Sequence, residues 1–200
     1  LAASSIQTAV NDVLRIAGTN YNKVIVSING KSKNLDSKGM VNIPNKDVTI
    51  SQIERLMQDL CYRAKIEYEY EAIHVLPYNF KLDDQDNIED PLGMSGSRLE
   101  VEAQIITVQR AAVVNLRKAI EKAGLRADNI VLCGYASSIA TLNEDEKQLG
   151  AALIDMGGAT CNMVIHAGNS IRYSEFLGVG STLITTDLSA ALHRPIAKAA

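Results

Sequence analysis

Cysteine is scarce in this 200-residue chain. The three residues, Cys61, Cys133 and Cys161, lie far apart among apolar neighbours, and no cysteine or histidine pair has the spacing of a zinc site. Isolated cysteines in such surroundings are typical of small buried side chains in a reducing cytoplasm. We therefore expect no zinc centre in this chain.

Long apolar runs and an excess of one charge are also missing. No stretch approaches the roughly 20 apolar residues that span a bilayer, and the chain carries no signal-peptide pattern. Lysine and arginine number 20 against 23 acidic residues, a formal charge of −3, and they are spread along the chain. A nucleic-acid binder would need a clustered basic surface. We expect a soluble, cytoplasmic protein with no nucleic-acid partner.

The apolar content, 46% of the residues, is enough for a folded core. The first residue, Leu1, leads straight into a helical pattern, and residues 196–200 form a helix-favouring end with no stop signal. We interpret the chain as a piece of a longer protein. Parts of a complete functional site would then lie outside these 200 residues.

Helical and strand patterns follow one another along the chain, which predicts a mixed α/β fold. Helices are predicted at 4–18, 50–64 and 109–123, and strands at 24–28, 72–76, 99–106 and 129–133. Thr49 and Gln52 fit a capping box for the second helix. The lysine-containing segment 31–38 and the acidic segment 81–98 predict solvated loops. His74, inside an apolar strand, is interpreted as a core histidine.

The segment after Gly150 carries the strongest chemical signal. An apolar strand, predicted to be buried, ends on Asp155, and Gly157-Gly158-Ala159-Thr160 predicts a tight turn into a second strand. A third strand follows, and Gly178-Val179-Gly180-Ser181 opens a helix. Paired glycines let backbone N–H groups close on an anion, and the Thr160 hydroxyl adds a donor. Asp155 could hold a magnesium ion through water, since Mg²⁺ keeps several waters when bound.

A plain hairpin turn remains the alternative interpretation of the same glycines. Glycine pairs between strands are common, and an aspartate beside a turn often bonds to its own backbone. The strand–turn–strand–strand–helix context favours a phosphate loop, because phosphoryl chemistry asks a protein mainly for positioning.

The D-x-G-G-x-T segment resembles the second phosphate loop of the actin, Hsp70 and sugar-kinase superfamily, usually D-[ILV]-G-G-G-T-T-D. Segments further upstream narrow this likeness. The run Asp90-Pro91-Leu92-Gly93-Met94-Ser95-Gly96-Ser97-Arg98-Leu99-Glu100 is similar to the bacterial FtsA family of cell-division proteins, as are His74-Val75-Leu76-Pro77 and Lys38-Gly39-Met40-Val41-Asn42-Ile43. The resemblance covers nearly the whole chain.

The resemblance implies an actin-like (RNase H-like) fold interrupted by a small α/β subdomain. Residues 1–30 and 128–147 would belong to the base of the actin-like lobe. Residues 31–127 would form the inserted subdomain, which in the family serves polymer contacts and the binding of other division proteins. Residues 149–200 would begin the second lobe, which carries the phosphate loop.

The resemblance also implies cofactors and partners. The family binds ATP with Mg²⁺ between its lobes and self-associates into filaments. It links FtsZ to the inner face of the cytoplasmic membrane at the division site. The FtsZ-binding region and the C-terminal membrane helix would lie beyond Ala200, so we expect residues 1–200 alone to bind ATP weakly or not at all. Whether ATP is hydrolysed stays open.

Residue by residue, the loop positions Asp155, Gly157, Gly158 and Thr160 match the family motif, and Gly180 matches the glycine before the following helix. Three departures stand out. Ala159 replaces the third glycine, Cys161-Asn162 replaces a threonine and an acid, and Ser181 replaces the second glycine of the pair before the helix. Losing the acid at Asn162 weakens the case for hydrolysis more than the case for binding. Ala159 is compatible with the turn unless its φ is positive.

Two other functions share this fold. A non-polymerising scaffold of the pilus-assembly type is one alternative, although it does not account for the D-P-L-G-M-S-G run. An actin-fold sugar kinase is the other. It needs a general base near the transferred phosphate, and no acidic residue of the chain is clearly placed for that task.

Overall fold

The computed structural model describes residues 2–19, 21–44 and 47–199. The helices are α1 Ala2–Ala17, α2 Ile50–Arg63, α3 Arg110–Lys122, α4 Cys133–Thr141, α5 Glu144–Leu149, α6 Ser181–Ala191 and α7 Ile196–Ala199. The strands are β1 Lys23–Ile28, β2 Ser32–Asn42, β3 Tyr70–Leu82, β4 Gln85–Ile88, β5 Arg98–Gln109, β6 Arg126–Leu132, β7 Ala151–Met156, β8 Cys161–Ala167 and β9 Ser170–Leu177. The predicted mixed α/β class is confirmed.

The strands form three sheets. β1 and β6 pair in parallel, across the intervening hundred or so residues of chain. A four-stranded antiparallel sheet has the order β2-β5-β3-β4, and a three-stranded one has the order β7-β8-β9. The apolar run at 129–133 therefore belongs to a parallel pair, as fully apolar strands commonly do.

The four-stranded sheet has a core of its own, with α2 packed on β2. The helix begins where predicted: the Gln52 side-chain oxygen accepts from the Thr49 backbone N–H (2.7 Å) and from its hydroxyl (3.0 Å). The buried apolar residues of this core are Ile43, Val48, Leu56, Leu60, Phe80, Leu82, Leu99, Val101, Ala103 and Ile105.

Segment 31–38 is not the predicted loop. Ser32 to Asn42 pairs continuously with β5 as an edge strand of the sheet. The polar side chains suit that position, because lysines on an edge strand discourage pairing with a further chain. One face still packs inward: Leu35 contacts the core, and the buried Ser37 hydroxyl donates to the Leu60 carbonyl (3.1 Å).

The acidic segment 81–98 also contains more order than predicted, because β4 lies within it. The Asp83 carboxylate, at a residue with φ 53°, accepts from the backbone N–H groups of Ser97 and Arg98 at 2.9–3.1 Å. Its role is to close this turn. β3 runs through Pro77, where the pairing with β5 slips by one residue. A bulge of that kind accommodates the missing proline donor.

Two further clusters join the sheets. One connects the parallel pair with β5, α3 and the β8–β9 hairpin through Ile28, Ile106, Val108, Val113, Ile130, Leu132, Val164 and Ile171. The other places α1 and α3 against the parallel pair, through buried Ile120, Ala123 and Leu125. Both helices end on left-handed glycines, Gly18 and Gly124.

Apolar side chains remain exposed on several elements, among them α1, α6 and β7. α1 and α6 have no fully buried residue, and β7, predicted to be a buried strand, exposes 62% of Ile154. No helix among the described residues is long and apolar enough to cross a membrane. Cys161 is buried, whereas Cys61 and Cys133 are half-buried, and all three are free thiols.

Candidate functional site

The glycine loop, Asp155–Thr160, connects β7 to β8. Asp155 pairs with Asn162, and Met156 with Cys161, so the two strands are in register up to the turn. The Gly157 N–H donates to the Thr160 carbonyl at 2.8 Å and closes the hairpin. The predicted turn is confirmed.

The loop needs neither of its glycines for a left-handed backbone. None of Gly157, Gly158 and Ala159 has a positive φ. Ala159 therefore fits without the backbone strain that a positive φ would impose. A Cβ at Gly157 or Gly158 would meet no atom closer than 3.4 Å. Without side chains at these two positions, the backbone of the turn stays uncovered, as a backbone cradle for an anion requires.

Position 180, in contrast, requires glycine, because the loop backbone leaves no room for a Cβ atom there. A Cβ there would lie 2.4 Å from the Gly157 carbonyl oxygen and 2.5 Å from that of Gly158. The first N–H groups of α6 complete the junction, with Ser181 donating to the Gly157 carbonyl and Thr182 to the Gly158 carbonyl, both at 2.9 Å. These N–H groups at the amino end of α6 therefore hold the loop in place.

Two side chains that the sequence did not point to also hold the loop. Asn29, directly after β1, donates from Nδ2 to the Thr160 hydroxyl oxygen at 2.9 Å. Ser137, on α4, donates to the Asp155 carboxylate at 2.8 Å. Both come from the ends of the parallel pair, where β1 stops and where β6 passes into α4.

The loop can offer hydrogen-bond donors to a phosphate. Among the described residues, neither the Gly158 nor the Ala159 N–H has a hydrogen-bond partner. The Thr160 hydroxyl accepts from Asn29, so its own proton is free to donate elsewhere. Two backbone donors and one hydroxyl on an uncovered turn form a set that fits a phosphate group.

The loop offers fewer groups to a magnesium ion than to a phosphate. Asp155 is half-buried, and no group of three or more acidic, histidine or cysteine side chains within 2–19, 21–44 and 47–199 could hold a metal ion. One carboxylate at the loop suits an ion held through water, as predicted for Asp155. Asn162 is 5% exposed and packs beneath α4, where its Cβ lies 3.1 Å from the position that a Cβ on Gly134 would take.

His74 is a core histidine, as predicted. Its Nε2 accepts from the Leu132 backbone N–H at 3.0 Å, and its ring meets Tyr135 edge to face, with centroids 4.8 Å apart. Burial lowers the pKa of His74 below its usual value, which keeps the ring neutral and able to accept. The residue takes no part in the candidate site.

Family models match two parts of the chain. Residues 30–107 match the model described as "SHS2 domain inserted in FTSA", and residues 152–200 match "Cell division protein FtsA". The second match contains the glycine loop and Gly180. This chain belongs to the FtsA family of cell-division proteins.

Curated FtsA proteins are similar in sequence to this chain along nearly its full length. The cell-division protein FtsA of Helicobacter pylori is 39% identical over 97% of this chain and 43% of that protein. FtsA of Neisseria meningitidis serogroup B is 36% identical over 96% of the chain and 46% of the relative. The chain thus spans less than half the length of the FtsA proteins it matches.

A solved structure supports the fold. A chain of the PilM-PilN type IV pilus biogenesis complex superposes with a TM-score of 0.61 at 16% identity, over 99% of this chain and 54% of the other. That likeness covers both the four-stranded sheet and the glycine loop. The expected actin-like fold is confirmed.

Proposed function

We propose that the glycine loop binds the terminal phosphates of ATP in an FtsA-type division protein. The unpartnered N–H groups of Gly158 and Ala159 and the Thr160 hydroxyl would contact phosphate oxygens. Asp155, fixed by Ser137, would orient a water of the Mg²⁺ shell. Bound Mg²⁺ would neutralise phosphate charge, and this chain's residues would position the phosphates.

The rest of the proposed role follows from membership of the FtsA family. Residues 1–30 and 128–147 would form the base of one actin-like lobe, 31–127 the inserted subdomain, and 149–200 the start of the second lobe. The complete protein would form filaments and bind later division proteins through 31–127. It would connect FtsZ to the inner face of the cytoplasmic membrane through regions outside this chain.

One observation carries the nucleotide part of the proposal. The loop is fixed from three directions, by Asn29, Ser137 and Gly180, while its own outward donors stay unpaired. A turn that served only to join two strands would gain nothing from this support. Preorganised donors without partners are what an anion site needs.

Sedimentation of the complete protein with lipid vesicles tests the proposed role. We expect protein to pellet with vesicles as polymers when Mg-ATP is present, and FtsZ to pellet with it only when both are added. Substitution Gly158→Val, which fills the open side of the loop, should abolish the ATP dependence. Pelleting that is identical with and without nucleotide would contradict the proposal.

A non-polymerising scaffold is the second candidate, because the whole chain superposes on a protein of a pilus biogenesis complex. The same sedimentation experiment separates the two. A discrete ring or a monomer at all nucleotide and lipid concentrations favours the scaffold, whereas membrane-bound polymers favour the division filament.

A further inference from the structure

The carboxyl ends of β1 and β6 supply both polar side chains that reach the glycine loop. Asn29 follows β1 directly, and Ser137 lies in the helix that follows β6. Ligands of parallel α/β sheets bind at this end of the strands. The two contacts therefore lie where a bound nucleotide would be, rather than at a remote face of the hairpin.

The direction of the Asn29 bond decides what Thr160 can do. A threonine hydroxyl has one proton to donate and lone pairs that accept. Asn29 Nδ2 donates to Thr160 Oγ1 at 2.9 Å, which occupies an acceptor position of the hydroxyl and leaves its proton unused. The proton must then point away from Asn29. The neighbouring unpaired N–H groups, at Gly158 and Ala159, belong to the same turn.

We infer that Asn29 is a positioning residue for the phosphate site, acting through the Thr160 hydroxyl. By donating to Thr160, it directs the hydroxyl proton toward the phosphate that the loop holds. The inference rests on the proposed function, since it requires a phosphate in the loop. It adds a residue from the first lobe to a site whose matched motif lies entirely in the second.

The competing interpretation is that Asn29 merely ties the loop to β1. Its side chain is exposed, and water could replace a bond of that kind at little cost. The two roles differ for an aspartate at this position. A carboxylate preserves the tie, because it accepts the Thr160 proton, but it takes that proton away from the phosphate. If Asn29 is only a structural tie, Asn29→Asp should reduce Mg-ATP affinity less than Asn29→Ala does. If Asn29 is a positioning residue, Asn29→Asp should reduce the affinity more.

Calorimetric titration of Mg-ATP into the complete protein tests this. We expect Asn29→Ala to weaken binding about fivefold, the value of one ordinary hydrogen bond, and Asn29→Asp to weaken it about tenfold or more. Asn115→Asp is the matched control, because Asn115 is an exposed asparagine on α3, which has no hydrogen bond to the loop among the described residues. It should bind as the wild type does.

A double-substitution cycle with Thr160→Val tests whether Asn29 acts through Thr160, and Asn29→Asp in the same background measures any direct effect of the added charge. Thr160→Val removes the hydroxyl and keeps the shape, so Asn29→Ala should then cost less than twofold. An undiminished Asn29→Ala effect in that background would overturn the inference, as would wild-type affinity in both Asn29 variants. Wild-type protein that binds no Mg-ATP would instead refute the proposed function, and the inference with it.

Discussion

The four-stranded sheet and the glycine loop lie in one chain but are held by different forces. The sheet packs α2 over its own apolar core, in which Leu56, Leu60 and Leu99 are completely buried. The loop has no such core: β7 is half-exposed, α6 has no fully buried residue, and polar bonds together with one glycine contact fix the turn. Packing therefore determines the sheet, and close backbone contact determines the loop.

This difference predicts where substitutions act. Removing apolar volume from the sheet should cost stability and leave the geometry of the loop unchanged. Adding a single carbon at Gly180, against the loop, should disturb the loop's geometry even though little apolar area changes. The substitutions below test that contrast, beginning with the largest expected effect.

Leu60→Ala should have the largest effect on stability. Leu60 is 0% exposed and packs with Leu56 against β2. Truncating a buried leucine leaves a cavity, and we expect a loss of about 2–5 kcal/mol in the free energy of unfolding. Urea unfolding measures it. Leu183→Ala on α6 is the control, because Leu183 is 49% exposed and should lose less than about 1 kcal/mol. Equal losses at both sites would contradict the contrast.

Gly180→Ala should displace the loop. The added Cβ would lie 2.4 Å from the Gly157 carbonyl oxygen, which is backbone and cannot rotate away. We expect a loss of about 1–3 kcal/mol in unfolding free energy and the disappearance of Mg-ATP binding in the complete protein. Calorimetry and urea unfolding measure the two effects.

Gly178→Ala provides the matched control for that substitution. Gly178 precedes the same helix, and a Cβ there would meet no atom within 4 Å. Its affinity for Mg-ATP should equal that of the wild type. If Gly178→Ala and Gly180→Ala had the same effect, flexibility of the linker, and not close contact, would determine the loop.

Asn34→Ala tests the junction between the two regions. The Asn34 amide donates to the Ser174 carbonyl at 2.6 Å and accepts from its hydroxyl at 2.8 Å, which ties β2 to β9. Because Ser174 is 1% exposed, its hydroxyl would be left without a partner, and we expect a loss of about 1–3 kcal/mol. Urea unfolding of Asn34→Ala and of Ser174→Ala measures it. The double variant should cost little more than either alone, and strict additivity would show that the two side chains act independently.

Local patterns made part of this fold predictable. The capping residues of α2 and the glycines that end α1 and α3 act within a few residues, so the sequence displays them directly. The turn at Gly157-Gly158 is of the same kind. β2 was missed because its polar side chains lack a strand period, and its pairing with β5 depends on residues about 70 positions away.

The support of the glycine loop was missed for a related reason. Asn29 and Thr160 are separated by 131 positions, and nothing near Asn29 in the sequence indicates a partner. Gly180 was identified from the family motif. Glycine is needed there because two loop carbonyls lie against it, and that contact is visible only in three dimensions. Contacts between segments that are distant in the sequence hold this site together, and hydrophobic periodicity does not reveal such contacts.

Acidification should weaken both regions through one histidine in each, half-buried His74 and buried His166. Burial lowers the pKa of His74 in the four-stranded sheet, and burial together with the Lys147 ammonium lowers that of His166 on β8. An unfolded histidine titrates near 6.5. Below about pH 6.5 the unfolded chain therefore binds protons that the folded chain does not, and the unfolding free energy falls until the pH reaches the lowered pKa.

The two histidines can be separated by urea unfolding at pH 7.5 and 5.5. His74→Gln keeps an acceptor for the Leu132 N–H but does not titrate, so it should reduce the loss of stability on acidification. His166, 2% exposed with its Nε2 at 2.9 Å from the Ser138 hydroxyl, should do the same when replaced by glutamine. If neither variant changes the difference between the two pH values, the two histidines titrate alike in the folded and unfolded chain, and carboxylates alone set the acid response of both regions.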